Sequence, residues 1–269
     1  MLFELNEEQL MIQQAARDFA QQELLPGVIE RDEHQKFPTE QIKRLGELGF
    51  LGMMVDPKYG GGGMDTISYV LAMEEISKID SSVSVVMSVN NSLVCWGLET
   101  FGTEEQKQKY LVPLAKGEII GAFCLSEPEA GSDATSQRTT AVDMGDHYLV
   151  NGTKNWITNG STASVYLVMA QTHVEKGHKG INCLIIEKGA PYQTVTVGES
   201  ARGNEVARRV RTHPEVPDRR GVARKQKRER LISTRINARS RRAGEPRIPD
   251  EPFIAVAGVH TVGGVSAVG

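Results

Sequence analysis

Residues 124–136 read CLSEPEAGSDATS. Among their side chains are the small hydroxyls of Ser126 and Ser132, the carboxylates of Glu127 and Asp133, and one glycine, Gly131. The segment is too polar for a core strand and too poor in helix formers for a helix. It offers backbone N–H groups, hydroxyl donors and close backbone approach, with little bulk. Further on, residues 151–160 read NGTKNWITNG, where Trp156 adds a large flat face and Thr158 another hydroxyl. These types suit a flat, largely apolar ring edged with N and O atoms that need hydrogen bonds, as a flavin is. They equally suit a polar turn after a strand and a Trp half-buried in a hairpin. Residue types alone leave both readings open.

Other candidate chemistry is weaker. YGGGG at 59–63 lacks a Lys-Ser/Thr pair and a preceding strand, so it does not read as a phosphate loop. Cys95, Cys124 and Cys183 are far apart and carry no metal-ligand spacing, so they read as free thiols in a reducing compartment, with no metal site. The N-terminal MLFELNEEQL lacks the basic-then-apolar pattern of a signal peptide, and no apolar run approaches the ~18–20 residues that span a bilayer. A cytoplasmic protein without membrane contact is expected.

The elements that must position residues 123–158 fall into two groups. Residues 1–120 predict a helical bundle. Asn6 with Gln9 and Thr103 with Gln106 fit capping boxes. Thr39 opens a helix carrying Ile42, Leu45 and Leu48 that stops at Gly49, and Asp65 caps one carrying Ile67, Val70, Leu71, Ile76 and Ile79. VSVVMSVNNSLVCWGL, residues 83–98, is apolar nearly all round, as in a buried helix. From Gly121 onward GAFCLS, HYLVNGTKNWIT, SVYLVMAQT and GINCLIIEK read as strands. Asn151-Gly152 predicts a hairpin turn that puts Trp156 and Thr158 on one strand face. A partial antiparallel β-barrel domain over 121–195 is therefore expected after the bundle.

Charge divides the chain again. Residues 1–190 hold 15 Lys and Arg against 26 Asp and Glu; residues 191–269 hold 16 against 8. The first part has 11 Lys and 4 Arg, the second 2 Lys and 14 Arg. Residues 196–269 carry neither helical nor strand periodicity and read as an Arg-rich, mostly disordered tail, or as the product of a shifted reading frame. Such a tail could bind nucleic acid or acidic partners. It lacks interleaved aromatics and any folded reader motif, so nucleic acid is a minor alternative.

Cys124 to Ser136 match a family signature at every position: small residue or Cys, aliphatic, Ser/Thr, Glu, two of any kind, small, Gly, Ser/Thr, Asp, two more, small. With SVNNSL (88–93), FGTEEQKQKYL (101–111), NGTKNWITNG (151–160) and KGINCLIIEKG (179–189), this makes residues 1–190 resemble the acyl-CoA dehydrogenases, most closely the short-chain, butyryl-CoA type. The resemblance implies FAD-dependent dehydrogenation of a short-chain acyl-CoA to the trans-2-enoyl-CoA. It also implies an electron-transferring flavoprotein as acceptor and a homotetramer. Phe123, Leu125 and Ser126 would line the flavin edge. Gly131 and Ser132 would approach the flavin pyrophosphate, with Ser132 also near the CoA thioester arm. Trp156 would pack on the ring with Ile157 beside it, and Thr158 would hydrogen-bond near flavin N5. Glu127 and Asp133 would be scaffolding of the motif, most simply as turn caps. The catalytic Glu of the family lies in a C-terminal helical bundle that this sequence does not match. No residue here takes its role, and an impaired, truncated enzyme is the expectation.

Overall fold

A computed structural model describes residues 4–145 and 147–189, together with the backbone of three strands at 194–197, 207–211 and 254–256. Helices come first. α1 (Glu7–Phe19) starts at Asn6, whose side chain and that of Gln9 close the predicted capping box. It runs on through a π-helical turn, Ala20–Leu24. α2 (Val28–Glu33), α3 (Thr39–Glu47) and α4 (Thr66–Ser77) follow, α4 capped by Asp65 as read from the sequence. On α4 the inward face differs from the expected stripe. Ile67 and Val70 are each 54% exposed, while Ser68, Tyr69, Ala72, Glu75 and Ile76 turn inward. An apolar count around a helix cannot say which side the neighbours occupy.

The apolar stretch from residue 83 forms one continuous helical rod. α5 (Ser81–Ser88) passes through a π-helical segment, Val89–Cys95, into α6 (Trp96–Phe101). A capping box at Thr103 then opens α7 (Glu104–Gln106), which continues through the π-helical segment Lys107–Leu111 into α8 (Val112–Ala115). The π-helical segment at 89–95 sets two buried asparagines side by side. Asn90 donates to the Leu51 carbonyl at 2.9 Å and the Leu114 carbonyl at 3.2 Å, and accepts from the Gly121 amide at 3.0 Å. Asn91 donates to the Phe50 carbonyl at 2.8 Å and accepts from the Met53 amide at 2.9 Å. These bonds tie the rod to backbone groups of three other segments, one of which, the Leu114 carbonyl, also accepts from the Gly117 amide at 3.1 Å.

The β-domain is a mixed sheet. β5 (Val165–Gln171) is its spine and pairs antiparallel with β6 (Ile181–Glu187) along its whole length. On its other edge β1 (Gly121–Cys124) runs parallel, which corrects the expectation of purely antiparallel pairing. β2 (Thr140–Asp143) continues along that same edge, meeting β5 at Gln171, and pairs antiparallel with β3 (Tyr148–Asn151). The hairpin apex therefore falls at 144–147, closed by the Met144 amide on the His147 carbonyl at 2.9 Å, and not at Asn151-Gly152. Gly152 serves close approach instead: a Cβ there would lie 2.2 Å from Thr139 Oγ1. β4 (Thr153–Lys154) joins a second sheet with β8 (Ala207–Arg211) and β7 (Thr194–Val197), and β9 (Ile254–Val256) runs parallel to β6. The remainder of 190–269, including most of the predicted tail, lies outside the described residues.

β5 explains how the two parts join. Its alternate residues face opposite layers. Val165 and Leu167, with Ile185 of β6, pack against Val94, Leu98, Leu111 and Leu114 of the helices. Tyr166, Val168 and Ala170 face a second cluster with Ala122, Cys124, Val150 and Ile157. A strand buried on both faces reads as a continuous apolar run, as VYLVMA does.

Candidate functional site

The 125–139 segment is an excursion. It leaves the sheet at the end of β1 and returns at the start of β2, both on one edge of β5. The Gln171 amide donates to the Thr139 carbonyl at 2.8 Å and fixes the return. Inside the excursion Glu127 and Ala130 exchange amide–carbonyl bonds of 3.0 and 3.2 Å, folding residues 127–130 into a tight turn. Asp133 caps the 3₁₀ turn Ala134–Ser136, accepting from the Thr135 amide and the hydroxyls of Thr135 and Ser136. The bonds from Ser136 and then Thr135 hold the Asp133 carboxyl below the usual carboxylate range. Its predicted role as a turn cap is what the geometry gives.

Glu127 differs from that expectation. It is buried and bonded to Lys154 at 2.7 Å, with the Arg138 amide at 2.6 Å and the Thr139 amide at 3.1 Å completing its partners. Burial pushes its carboxyl up, but the bonds from Lys154, Thr139 and Arg138 outweigh burial and hold it below the usual range. Lys154 is 1% exposed, and neither it nor Asn159 was singled out from the sequence. A lone lysine in a β-prone stretch looks like a solvated edge. Only the fold turns it inward.

Asn155 links the excursion to the second segment: its amide donates to the Ser126 carbonyl at 2.8 Å. Trp156 follows at once. It is 66% exposed and holds φ 60°, in the left-handed region. That conformation costs a bulky residue on the order of 1–3 kcal/mol and marks a site where surrounding structure overrides local preference. Residues 158–160 form a turn, so Trp156 and Thr158 do not lie on one strand face. Ile157 is 2% exposed in the β-domain core, and only its backbone is left to meet a ligand. Asn159, also left-handed at φ 63°, donates to the Gly121 carbonyl at 3.0 Å. Gly121 is thus held by Asn90 at its N–H and Asn159 at its C=O.

The remaining predicted residues lie on β1, in the excursion and in the turn that follows Ile157. Phe123 is half-buried against the inter-domain core, and Leu125 and Ser126 are half-buried just beyond β1. Gly131 and Ser132 are exposed in the excursion, and Thr158 is half-buried in the turn. Among the described residues the hydroxyls of Ser126, Ser132 and Thr158 hold no hydrogen bond. A Cβ at Gly131 would meet nothing within 4 Å, and its φ is outside the left-handed region. Neither backbone conformation nor packing by the protein calls for glycine there. The free hydroxyls, the open glycine and the exposed indole fit a flat ligand with hydrogen-bonding edges and a long polar arm.

The helical bundle shares a core with the mixed sheet, and the excursion is tied at Ser126 to the segment that carries the exposed Trp156. The family model of the acyl-CoA dehydrogenase N-terminal domain matches residues 6–118, and that of the middle domain matches residues 122–213. The chain belongs to the acyl-CoA dehydrogenase family, an enzyme family, and carries its N-terminal and middle domains. The short-chain specific acyl-CoA dehydrogenase of Clostridium acetobutylicum is 48% identical over 189 residues, 70% of this chain and 50% of that protein. Butyryl-CoA dehydrogenase from Megasphaera elsdenii superposes with a TM-score of 0.72 at 39% identity, over 79% of this chain and 59% of that one. A chain in the electron transferring flavoprotein structure of Acidaminococcus fermentans superposes with a TM-score of 0.73 at 42% identity, over 79% and 58%. The chain spans about half the length of the curated relatives it matches. Among the described residues no helix is long and apolar enough to cross a membrane.

Proposed function

We propose that this chain supplies the flavin-edge half of an FAD-dependent dehydrogenase acting on short-chain acyl-CoA thioesters, yielding the trans-2-enoyl-CoA. The observation that supports the reading is the bond from the Asn155 amide to the Ser126 carbonyl, which ties the segment of the exposed, left-handed Trp156 to the excursion that carries the Ser126 hydroxyl. The short-chain preference is supported by the names of the relatives. Bound FAD would supply the acceptor for hydride from the substrate β-carbon. The chain's own groups would prepare that event. The Ser126 and Thr158 hydroxyls would donate to the ring edge, and the backbone at Phe123 and Leu125 would align it. Trp156 would cover one face and exclude water. Ser132, beside the open Gly131, would serve the pyrophosphate and the thioester arm. An electron-transferring flavoprotein is proposed as the acceptor, by family resemblance.

Among the described residues we assign the α-proton base to none. Glu127 is committed to Lys154 and two amides, and Asp133 to its own turn. The domain division is proposed at residue 120, between the two family matches, with the middle domain running to at least 195. Purified protein titrated with FAD should give a saturable flavin fluorescence change, lost in Trp156→Ala combined with Ser126→Ala. Butyryl-CoA with an artificial acceptor should give little turnover. Absence of saturable FAD binding overturns the site. Turnover within about tenfold of a typical ~10 s⁻¹ overturns the assignment of the base to none of the described residues.

A further inference from the structure

Lys154 meets three oxygens at once. Its Nζ lies 3.0 Å from the Leu125 carbonyl, 2.7 Å from Glu127 Oε1 and 2.8 Å from Gln137 Oε1. Those acceptors come from different places: Leu125 and Glu127 from the start of the excursion, Gln137 from its end. Glu127 carries the tie further, accepting from the Arg138 and Thr139 amides just before β2. One residue beyond Lys154, the Asn155 amide reaches Ser126. A single ammonium thus joins the departure of the loop, its return, and the segment that presents Trp156.

A buried ion pair stabilises a fold no better than apolar packing of equal volume. Apolar packing, however, carries little directional information. An ammonium whose donors are taken up by acceptors in fixed directions permits one relative placement of the segments that supply them. The left-handed Trp156 needs such external fixing, because its own backbone preference opposes it.

We propose that Lys154, through Glu127, Gln137 and the Leu125 carbonyl, is a positioning residue of the flavin site, locking the 125–139 excursion against the 155–159 turn so that Ser126 and Trp156 keep one geometry. The inference rests on the flavin reading above. It goes beyond that reading by placing the control of the site in a residue that touches no ligand.

The test uses the full chain in a Trp96→Phe background, which leaves Trp156 as the only tryptophan of the two. Trp96 is a surface residue edge-on to Phe101. Lys154→Met, Glu127→Gln and the double variant are compared with this parent. Three quantities are read: Trp156 emission and acrylamide quenching without FAD, the FAD Kd by fluorescence titration, and the urea midpoint. The expected result is a shift of Trp156 emission or quenching in every variant and a rise of at least tenfold in FAD Kd. The double variant, which leaves no unpaired buried charge, should recover urea resistance relative to Lys154→Met without recovering FAD affinity. If FAD affinity returns together with stability, the pair is structural only and the proposal is overturned. Trp156 signals identical to the parent in the double variant overturn it as well. Should the parent bind no FAD, the flavin reading fails, and the Trp156 signals alone then decide whether Lys154 positions the turn.

Discussion

Glu75, on the buried side of α4, is held by two cations. Its side chain is 5% exposed and accepts from Arg17 at 2.9 Å and Lys78 at 3.0 Å. The Arg17 bond above all, against the cost of burial, holds its pKa at about 2, below the ordinary 4.5. A carboxyl with a depressed folded pKa contributes stability that is fully present above its unfolded pKa and lost as pH falls through the folded one. The window here runs from about 4.5 down to about 2. Thermal unfolding scans across that range should show Tm falling with pH less steeply in Glu75→Gln than in the parent. Equal slopes would mean Arg17 and Lys78 do not favour the ionised form. Gly152 offers a steric counterpart. A Cβ there would lie 2.2 Å from Thr139 Oγ1 and 2.7 Å from Thr139 Cα, and the backbone atom cannot swing away. Gly152→Ala should therefore cost about 1–3 kcal/mol by overpacking, read as a lower urea midpoint at constant slope.

At the scale of elements, the helix starts and the π-helical segments behave differently. The cap at Asn6 is local and solvent-facing, so Asn6→Ala should cost only about 1 kcal/mol. Asn90 sits in the π-helical segment of the central rod and ties it to Leu51, Leu114 and Gly121. Asn90→Ala leaves the Leu51 carbonyl and the Gly121 amide unpaired at about 1–3 kcal/mol each, so its cost should exceed that of Asn6→Ala by at least about 1 kcal/mol. Chemical denaturation of both variants checks the order. Equal costs would show that water or a local shift replaces the Asn90 bonds. The caps were legible in the sequence because each is written within four residues. The asparagine pair was not, since the partners that tie it to other segments stand 24 to 41 residues away.

For the whole molecule the decisive feature is the core shared across the domain boundary. Val165 and Leu167 of β5 pack with Leu98, Leu111 and Leu114 of the helices. The edge of that interface is pinned where Glu187 accepts from Lys109 at 2.6 Å and Tyr110 at 2.7 Å. The Lys109–Glu187 pair is about half exposed on both sides, so its worth is at most ~1 kcal/mol. Leu167→Ala should cost about 2–5 kcal/mol and lower a single, common transition. Tyrosine emission, Trp156 emission and far-UV circular dichroism measured together test this. Separate transitions for helix and sheet signals would mean that the shared core does not couple the domains.

The sequence by itself determined what depends on neighbours along the chain. The capping boxes at Asn6 and Thr103, the long apolar rod after residue 80, the buried run of β5 and the motif at 124–136 were all readable, because each is set by a few consecutive residues. Tertiary structure decided what depends on residues far apart. It moved the hairpin from Asn151-Gly152 to 144–147, laid β1 parallel to β5, turned Ile67 and Val70 outward and Lys154 inward. It also placed Trp156 in a left-handed conformation that no local preference favours. In each case the same side chain was compatible with two surroundings, and the choice fell to the burial and hydrogen bonding supplied by a partner segment that periodicity cannot locate.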